Sequence, residues 1–433
     1  MMNGERAPIG VIGTGYVGLV TAVGFAGLGS DVWCVDIDEV KIAQLRRGEV
    51  PIYEPGLAEM IDRNRERLHF STTLADAVER ARLLFVCVGT PPTYAGDADL
   101  SAVLAVAGAM PASSEHALVM KSTVPCGTGR TLTRMLDEQG KGGLAYVSCP
   151  EFLKEGSAIQ DFIHPDRVVI GEDEDGAHWA GDAVAALYEP LGAPIVRTDV
   201  ASAEMIKLAA NAFLATKISF INEIANVCEE TGANVLEVAR GVGLDARIGP
   251  RFLSAGIGYG GSCFTKDVSA LKLLAANSGY HFQLLGAVIE VNELQKRRVI
   301  AKLSRRLGSL AGMRIGLLGL AFKPHTDDMR GASSLVLASR LEAEGAIVRA
   351  FDPVASEEAR RIMPELDCAE SLADAVKDAD AVVLVTEWPE FLELDWKAVA
   401  AAMAGDVVID GRNFLDGDAV RAAGLLYEGI GVG

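Results

Sequence analysis

The sequence predicts an α/β protein with two Rossmann-like, doubly wound domains joined by a central domain built on one long helix. Three observations carry this prediction. Short apolar strands alternate with helical stretches between residues 8 and about 198, and the same alternation restarts at residue 313. Between them, the stretch from Ala201 to about Glu230 contains no proline or glycine. Strand-helix alternation of this kind is typical of parallel sheets with helices on both faces.

Each part of the chain supplies its own elements. The strand candidates of the N-terminal part are PIGVI, DVWCVD, ARLLFVCVG, HALVMKS, LAYVSCP and DRVVIG. In the central part, apolar residues recur at helical spacing from Ala201, which predicts one long helix. The C-terminal part offers MRIGLLGLAF, AIVRAFDP, DAVVLVTE and DVVIDGR as strands, with a helix from Ser333 to Glu344. The predicted domains are residues 1–200, 201–310 and 311–433.

Composition excludes several classes of protein. No uncharged apolar run reaches the 18 residues of a membrane span, and the N-terminus lacks the pattern of a secretory signal, so we expect a soluble cytoplasmic protein. With 59 acidic and 40 basic residues, the net charge of −19 gives no general attraction to nucleic acid or an anionic membrane. Seven cysteines without a CxxC pair argue against disulfides and a zinc site. We expect no metal.

A glycine-rich motif follows the first strand and opens a helix. The motif GTGYVG comprises Gly13, Gly15, Tyr16, Val17 and Gly18. A second strand ends on Asp36, where a carboxylate can accept from the ribose hydroxyls of a dinucleotide and repel a 2′-phosphate. The motif therefore predicts an NAD site, whereas the alternative is a tight turn without a ligand. The later segment IGLLGLAF lacks the third glycine, so no second dinucleotide is assigned.

A cysteine stands where a glycine-rich loop meets a helix. In GIGYGGSCFTKD, the helix N-terminus and Lys266 would both favour the thiolate of Cys263, and Asp267 follows one turn later. A buried structural cysteine is the alternative, and it suits the other six. On the long helix, Lys207 and Asn211 are four residues apart and can stabilise an oxyanion. The alternative for Lys207 is a solvated surface lysine.

Seven motifs, taken in order, resemble the UDP-glucose/GDP-mannose dehydrogenase family from residue 8 to about 415. They are GTGYVG, KSTVPCGTG, PEFLKEG, Lys207 with Asn211, RIGPRFL, GYGGSCFTKD and GLAFKPHTDDMR. The resemblance implies an N-terminal NAD domain, a central helical dimerisation domain and a C-terminal UDP-binding domain. It also implies oxidation of the C6 alcohol of a UDP-hexose, with UDP-glucose favoured, in two hydride transfers to two NAD molecules without release of the aldehyde.

The resemblance also assigns catalytic roles. Cys263 would form a thiohemiacetal that is oxidised to a thioester, which explains how one site performs both oxidations. Glu151 and Asp267 would assist thioester hydrolysis, with Thr123 nearby. Lys207 and Asn211 would stabilise the oxyanions. For Glu151 the alternative is a helix cap.

Binding residues are implied in the same way. Besides the glycine motif and Asp36, NAD would contact Lys41, Thr90, Thr123, Glu155, Cys263, Lys266 and Arg330. The nucleotide-sugar would contact Glu151, Phe152, Leu153, Lys154, Lys207, Asn211, Phe252, Leu253, Ser254, Gly260, Phe322, Lys323 and Arg412. Arg247 matches a residue that family members lend to the neighbouring subunit, so a homodimer is implied.

The sequence departs from the family pattern at four positions and leaves other functions open. Cys149 stands where Asn is common, Thr265 where Pro is common, and Gly331 with Ser333 where Glu-Ala-Pro is common. The segment HPDRVVIG and the Phe after Cys263 favour the UDP-glucose branch. The same chemistry on GDP-mannose or a UDP-N-acetylhexosamine is an alternative. A one-step 3-hydroxyacid dehydrogenase would need neither a nucleophilic cysteine nor a second α/β domain, and the last alternative is a non-catalytic nucleotide-sugar sensor. The family expectation for the product is a uronate precursor of capsule or exopolysaccharide.

Overall fold

The computed structural model describes residues 6–94, 96–173 and 178–432. These residues divide into two compact units. The first contains the chain up to Ala210 together with Ser269–Gly279, and the second contains Asn211–Val268 and the chain from Tyr280 onward. The three-domain division stays a prediction.

The first unit holds an eight-stranded sheet in the order β3-β2-β1-β4-β5-β6-β7-β8. Its neighbouring strands are parallel except β6 and β7, which are antiparallel. The strands are β1 Arg6–Ile12, β2 Ser30–Val35, β3 Leu68–Ser71, β4 Leu83–Val86, β5 Ala117–Met120, β6 Ala145–Ser148, β7 Val168–Gly171 and β8 Ile195–Thr198. Those at the centre are buried on both faces, as expected for parallel strands covered by helices.

Within the described ranges, eight α-helices alternate with these strands along the chain. They are α1 Tyr16–Gly27, α2 Glu39–Arg47, α3 Leu57–Arg63, α4 Leu74–Arg80, α5 Ser101–Ala109, α6 Thr128–Glu138, α7 Ala158–Ile163 and α8 His178–Tyr188. In the core on one side, Phe25 lies 5.2 Å from the rings of both Phe85 and Phe162. The buried aromatic cluster fixes α1, and with it the glycine motif, against the sheet.

The middle of the chain is helical. Its elements are α9 Val200–Thr231, α10 Val235–Gly243, α11 Ser262–Asn277, α12 Gln283–Gln295 and α13 Arg298–Leu307. The long helix predicted from Ala201 to about Glu230 is confirmed as α9, which has 32 residues.

The second unit holds a six-stranded parallel sheet in the order β11-β10-β9-β12-β13-β14. Its elements are β9 Arg314–Leu318, α14 Ser333–Ala343, β10 Ile347–Phe351, α15 Ser356–Ile362, β11 Asp367–Cys368, α16 Leu372–Val376, β12 Ala381–Leu384, α17 Trp396–Ala402, β13 Val407–Asp410, α18 Gly417–Ala422 and β14 Leu426–Glu428. The predicted restart of strand-helix units is confirmed.

Both sheets use one strand order. Numbered by appearance, the six strands of the second sheet run 3-2-1-4-5-6, and the first six strands of the first sheet do the same. In such sheets ligands bind beyond the carboxyl ends of the strands, where the order reverses between strands 1 and 4. In the first sheet this place lies beyond β1 and β4, and in the second beyond β9 and β12. The prediction of two doubly wound sheets is therefore confirmed.

The described ranges hold neither a membrane-spanning helix nor a cluster of metal-ligating side chains. Within residues 6–94, 96–173 and 178–432, none of the helices combines the length and apolar character that crossing a membrane requires. The same residues contain no group of three or more His, Cys, Asp or Glu side chains arranged to hold a metal ion.

Candidate active site

The glycine motif forms a tight turn at the carboxyl end of β1. Gly13 has φ +96, and a Cβ added there would lie 2.7 Å from the carbonyl oxygen of Cys87. Gly18 lies against the carbonyl of Gly13 in the first turn of α1, with no space for a side chain. Gly15 caps α1, and a Cβ there would meet no atom within 4 Å. The turn therefore leaves the N-terminus of α1 open to a phosphate.

Asp36 directly follows β2 and faces this turn. Its Oδ2 accepts from the amide and the hydroxyl of Thr14, each at 2.8 Å, and lies 3.3 Å from Nζ of Lys41. Burial raises the pKa of Asp36, but hydrogen bonds from Thr14 and Asp38 and the charge of Lys41 lower it below its ordinary value overall. The carboxyl group is thus ionised and suited to accept from ribose hydroxyls. These residues fit NAD.

Two predicted threonines lie beyond β4 and β5. Thr90 donates from Oγ1 to the carbonyl oxygen of Thr123 at 2.8 Å. Strands β4 and β5 are parallel neighbours, so their carboxyl ends meet at one edge of the sheet. The structure thus brings Thr90 and Thr123 together.

Glu151 and Lys207 form a buried ion pair. Nζ of Lys207 lies 2.9 Å from Oε1 of Glu151, and the other carboxylate oxygen accepts from the amide of Leu153 at 2.5 Å. Burial raises the pKa of Glu151, but the charge and hydrogen bond of Lys207, the Leu153 amide and the charge of Lys121 together lower it below its ordinary value. Glu151 is therefore ionised.

The structure excludes the two non-catalytic alternatives that the sequence left open, a solvated surface lysine for Lys207 and a helix cap for Glu151. Lys207 is buried, so it is no solvated surface lysine. The carboxylate of Glu151 accepts from Leu153 in the loop, whereas the next helix, α7, begins only at Ala158. Glu151 is therefore not a cap of that helix.

Cys263 is the second residue of α11 and its side chain is exposed. One turn later, Asp267 is buried and accepts from Nδ2 of Asn211 at 2.6 Å. Its other carboxylate oxygen lies 3.2 Å from Nζ of Lys266. The N-terminal position of Cys263 on a 16-residue helix favours the thiolate. The arrangement places an exposed thiol one helical turn from a buried carboxylate and the amide that donates to it.

Carboxamides on two helices hold the glycine-rich loop that leads to Cys263. Asn222 accepts from the amide of Gly256 at 2.9 Å, and Gln295 donates to the Gly256 carbonyl at 2.8 Å. Asn292 bonds both the amide and the carbonyl of Tyr259, at 2.8 and 3.1 Å. Sequence reasoning missed these three side chains. The available signal was an amide at a core-facing position of a helix, which needs a polar partner.

Residues of the second sheet adjoin the same loop. A Cβ added to Gly261 would lie 2.8 Å from the ring of Phe322, so the ring packs directly on the loop. Arg412 donates to the carbonyl oxygens of Gly258 and Val385, each at 2.8 Å. Arg330 accepts through its carbonyl from the amide of Gly261 at 2.8 Å. Predicted substrate and cofactor residues therefore meet around the Cys263 loop.

Arg330 and Lys323 have further contacts. The guanidinium of Arg330 pairs with Asp328 through bonds of 2.7 to 3.0 Å. Nζ of Lys323 lies 5.2 Å from the centre of the Phe322 ring. Arg330 is thus held by a neighbouring carboxylate, and the Lys323 ammonium lies over the ring of the residue before it.

Other predicted binding residues lie in varied surroundings. Phe152 is stacked under Arg167, whose Cζ is 3.6 Å from the ring centre. Lys154 pairs with Asp161 at 3.1 Å. The remaining predicted contacts differ in exposure: Leu153, Phe252 and Glu155 are half-buried, Leu253 and Gly260 are buried, and Ser254 is exposed.

Arg247 is exposed and pairs with a neighbouring aspartate. Its side chain is 88% exposed and pairs with Asp245 at 2.6 Å. No described contact brings it to the Cys263 loop, which leaves its guanidinium accessible to another molecule.

The four departures from the family pattern have defined places. Thr265 donates to the carbonyl oxygen of Gly261 at 2.7 Å, and Ser333 donates to that of Ile257 at 3.0 Å. Gly331 has φ +64, and a Cβ there would lie 3.3 Å from the methyl group of Thr265. Thr265 and Gly331 are therefore complementary, because a larger residue at 331 would press on Thr265. Cys149 is buried in the first sheet's core.

Two buried glutamates near the predicted site were also missed. Glu54 accepts from the amides of Gly156 and Ala158, at 2.6 and 2.7 Å, and from the hydroxyl of Tyr16. It therefore ties the segment after Glu151 to the glycine motif.

Glu204, three residues before Lys207, accepts from the amides of Gly127 and Gly129 at 2.6 and 2.7 Å. It fixes α9 to the start of α6. The sequence could have indicated Glu204, because it is an acidic residue on the same helical face as Lys207.

Three models of one family match the chain in order. The UDP-glucose/GDP-mannose dehydrogenase family's NAD binding domain matches residues 7–192, its central domain residues 201–294, and its UDP binding domain residues 316–417. The N-terminal part of this chain is thus an NAD-binding domain.

Individual proteins and a solved structure match over nearly the full length. UDP-glucose 6-dehydrogenase TuaD of Bacillus subtilis is 46% identical, covering 98% of this chain and 93% of that protein. A UDP-glucose 6-dehydrogenase of Rhizobium meliloti is 45% identical, covering 98% and 99%. The structure of a UDP-glucose dehydrogenase from the archaeon Pyrobaculum islandicum is 38% identical, with a TM-score of 0.92 and full coverage of both chains. This chain therefore belongs to the UDP-glucose/GDP-mannose dehydrogenase family.

Proposed function

We propose that this chain is an NAD-dependent UDP-glucose 6-dehydrogenase that converts the C6 alcohol of UDP-glucose into the carboxylate of UDP-glucuronate. The observation that carries the proposal is the start of α11, where exposed Cys263 precedes buried Asp267 by one turn and Asn211 donates to that carboxylate. A nucleophilic cysteine beside a carboxylate suits an oxidation that passes through a covalent acyl intermediate. The relatives named as UDP-glucose 6-dehydrogenases support the choice of substrate.

The first oxidation converts the alcohol into an aldehyde. The substrate loses a hydride from C6 and a proton from its hydroxyl, and bound NAD supplies the hydride acceptor. Lys207 and Asn211 are donors that stabilise negative charge developing on the oxygen. The proton is released to solvent.

The second oxidation takes place on the cysteine. The thiolate of Cys263 adds to the aldehyde carbon, and protonation of the oxyanion gives a thiohemiacetal. Loss of a second hydride, to a second NAD, and of the hydroxyl proton gives a thioester. Because the carbonyl stays bound to sulfur, the aldehyde is not released.

Hydrolysis completes the reaction. Water attacks the thioester carbonyl, the carbon–sulfur bond breaks, and Cys263 is regenerated. Glu151 and Asp267 orient this water and accept its proton, with Thr123 nearby. One alcohol, one water and two NAD thus give one carboxylate, two NADH and three protons.

We also propose a homodimer. Phe213, Phe220 and Val227 are spaced seven residues apart on α9, and these residues are 67%, 54% and 56% exposed. Such spacing places apolar side chains along one face of a helix, and an exposed apolar stripe of this kind favours burial against a partner. In this assembly the exposed Arg247 is lent to the active site of the neighbouring subunit, where a guanidinium can bind phosphate oxygens.

The cell compartment and the product's use follow from the proposed reaction. Four of the seven cysteines are buried thiols and Cys263 must stay reduced to act, which fits the cytoplasm. UDP-glucuronate would then serve as a precursor of a capsule or exopolysaccharide.

The alternative functions have less support. GDP-mannose has less support than UDP-glucose, because the Bacillus subtilis and Rhizobium meliloti relatives that match nearly the whole chain are named UDP-glucose 6-dehydrogenases. A UDP-N-acetylhexosamine keeps the same mechanism, and only a turnover test separates it from UDP-glucose. A one-step 3-hydroxyacid dehydrogenase has no use for Cys263 or the second sheet. A non-catalytic sensor would not need the Glu151–Lys207 pair.

The test is the ratio of NADH formed to UDP-glucose consumed. We expect two NADH per sugar in the wild type and loss of the second oxidation or of hydrolysis in Cys263→Ser. Cys368→Ser, at a half-buried position in the second sheet, is the matched control and should behave as wild type. Turnover only with another nucleotide-sugar would overturn the substrate. One NADH per sugar, unaffected by Cys263→Ser, would overturn the mechanism.

A further inference from the structure

The turn after the first strand of each sheet is built in the same way. Gly13 and Gly319 follow β1 and β9 with φ of +96 and +93. Their amides donate to the carbonyl oxygens of Val35 and Phe351, at 2.7 and 2.8 Å. A side chain at either glycine would collide with the chain just beyond the fourth strand of its sheet, at Cys87 for Gly13 and at Thr386 for Gly319. The second sheet therefore repeats the geometry of a dinucleotide-binding turn although its sequence lacks the motif.

An aspartate directly follows the second strand in both sheets. Asp36 accepts from the amide of Thr14 at 2.8 Å, and Asp352 accepts from the amide of Leu320 at 2.6 Å. In each case the donor is the residue after the glycine of the turn. The two carboxylates therefore occupy equivalent places.

The two aspartates differ in what else they bind. Oδ2 of Asp352 also accepts from the amide of Ala321 at 3.0 Å and from Nε1 of Trp388 at 3.1 Å. Its Oδ1 accepts from the amides of Val354 and Ala355, at 3.0 and 2.8 Å. Asp352 is 2% exposed. Since a carboxylate offers about four lone-pair positions, five protein donors leave no capacity for a ribose.

The turn held by Asp352 has its other polar groups bonded as well. The Leu320 carbonyl accepts from Ser334 at 2.5 Å, and the Ala321 carbonyl accepts from Thr386 at 2.6 Å. The next amide, of Phe322, donates to the carbonyl of Asp328 at 3.1 Å. These bonds fix the geometry of the turn, and Phe322 and Lys323 directly follow it.

Phe322 connects this turn to the glycine-rich loop that leads to Cys263. Its ring packs on Gly261, two residues before Cys263, and its carbonyl lies 3.4 Å from a guanidinium nitrogen of Arg412. Displacement of the turn would therefore move Phe322 and Lys323, two residues proposed above to contact the nucleotide-sugar.

We propose that Asp352 is a positioning residue for the nucleotide-sugar, which acts by holding the Leu320–Ala321 turn so that Phe322 and Lys323 face the ligand. The inference rests on the proposed function. In Asp352→Asn, an NH2 group replaces one carboxylate oxygen. The N–H donors that this oxygen had accepted from then lack a partner. The effect falls on the UDP-sugar and not on NAD, because the glycine turn predicted to bind NAD belongs to the first sheet. The guanidinium of Arg330, a predicted NAD contact in the second unit, is held by Asp328 and not by Asp352.

The experiment compares the KM for UDP-glucose with the KM for NAD. For Asp352→Asn we expect an about tenfold higher KM for UDP-glucose, corresponding to about 1.4 kcal/mol, and an unchanged KM for NAD. Titration calorimetry with UDP should show a similar weakening. Asp395→Asn is the matched control, because Asp395 caps α17 in the same unit by accepting from Lys397 and Ala398 and does not touch the turn. It should leave both KM values unchanged.

Further outcomes separate this inference from the proposed function. An equal rise in both KM values, or no change in either, would overturn the positioning role. If Asp352→Asn fails to fold, Trp388→Phe tests the same carboxylate by removing a single donor to it. We then expect a smaller rise in the KM for UDP-glucose and an unchanged KM for NAD. An equal rise in both KM values, or no change in either, would again overturn the positioning role. If the wild type does not oxidise UDP-glucose, the proposed function fails, while UDP calorimetry still decides whether Asp352 positions a nucleotide site.

Discussion

Nζ of Lys207 lies 2.9 Å from Oε1 of Glu151, and the two side chains are 4% and 5% exposed. Two charges at this depth are stable because each neutralises the other, and removal of one leaves the other buried without compensation. The pair joins α9 to the segment after β6. A contact that stabilises the fold therefore also fixes two groups that the proposed chemistry requires.

Loss of Lys207 should destabilise the protein strongly. Lys207→Met leaves the Glu151 carboxylate buried, so we expect the free energy of unfolding at pH 7.5 to fall by about 3–5 kcal/mol. Urea denaturation followed by circular dichroism measures this change. Lys154→Met removes an exposed pair with Asp161 and should cost less than about 1 kcal/mol. Equal losses in the two variants would contradict a special role for the buried pair.

The same substitution should change how stability depends on pH. In the wild type the pKa of Glu151 is lowered, so its stabilisation is complete above the pKa of the unfolded chain and disappears as the pH falls through the folded pKa. In Lys207→Met the lysine charge no longer opposes the effect of burial, so the pKa of Glu151 is raised. Protonation of Glu151 at lower pH then removes the buried charge that destabilises the variant. The difference in unfolding free energy should therefore shrink as the pH falls from 7.5 towards the ordinary glutamate pKa of about 4.3. A constant difference would show that Glu151 does not cause it.

Cys263 should be the first cysteine to react with iodoacetamide. It is exposed at the N-terminus of α11, whereas burial raises the pKa of half-buried Cys126 and Cys368. We expect labelling of Cys263 at least about tenfold faster than of any other thiol, with parallel loss of activity and protection by UDP-glucose. Peptide mass spectrometry locates the label, and Cys126→Ser should label like the wild type. Labelling spread evenly over the cysteines would refute this ranking.

Two inactive variants should restore activity when mixed. If Arg247 serves the partner's site, a heterodimer of Arg247→Ala and Cys263→Ser contains one complete site. Random reassociation of equal amounts makes half of the dimers mixed, so we expect about one quarter of the wild-type activity. Each variant alone, taken through the same unfolding and refolding, is the control. Absence of recovery in a mixture proved to contain heterodimers would place Arg247 in its own subunit's site.

The sequence was sufficient to predict the central strands and the long helix. Strands such as β4 and β5 are continuous apolar runs because helices cover both faces. The missed strands β3, β8, β11 and β14 are short or partly exposed, and their apolar content gives no pattern. Strands that are buried under covering helices have a recognisable apolar sequence, and these were the strands that the sequence predicted.

The sequence indicated which residues belong to the site better than it indicated which of them contact each other. Cys263 and Lys207 stood out through their motifs, but nothing in the sequence indicated that Lys207 pairs with Glu151, 56 positions away. Asp352 and Glu54 gave still less signal, because their partners are mostly backbone amides, which every residue type except proline provides. Their roles depend on the folded positions of distant loops.

The repeated strand order has a consequence for synthesis of the chain. β1 and β9 carry the similar apolar sequences PIGVI and RIGLL, and each lies next to the second and fourth strands of its own sheet. In a fully unfolded chain either could compete for the other's neighbours. On the ribosome, the 116 positions from Thr198 to Arg314 separate completion of the first sheet from the arrival of β9. At 5–20 residues per second this gives a head start of about 6–23 s, so we expect vectorial synthesis to keep the two sheets from exchanging strands.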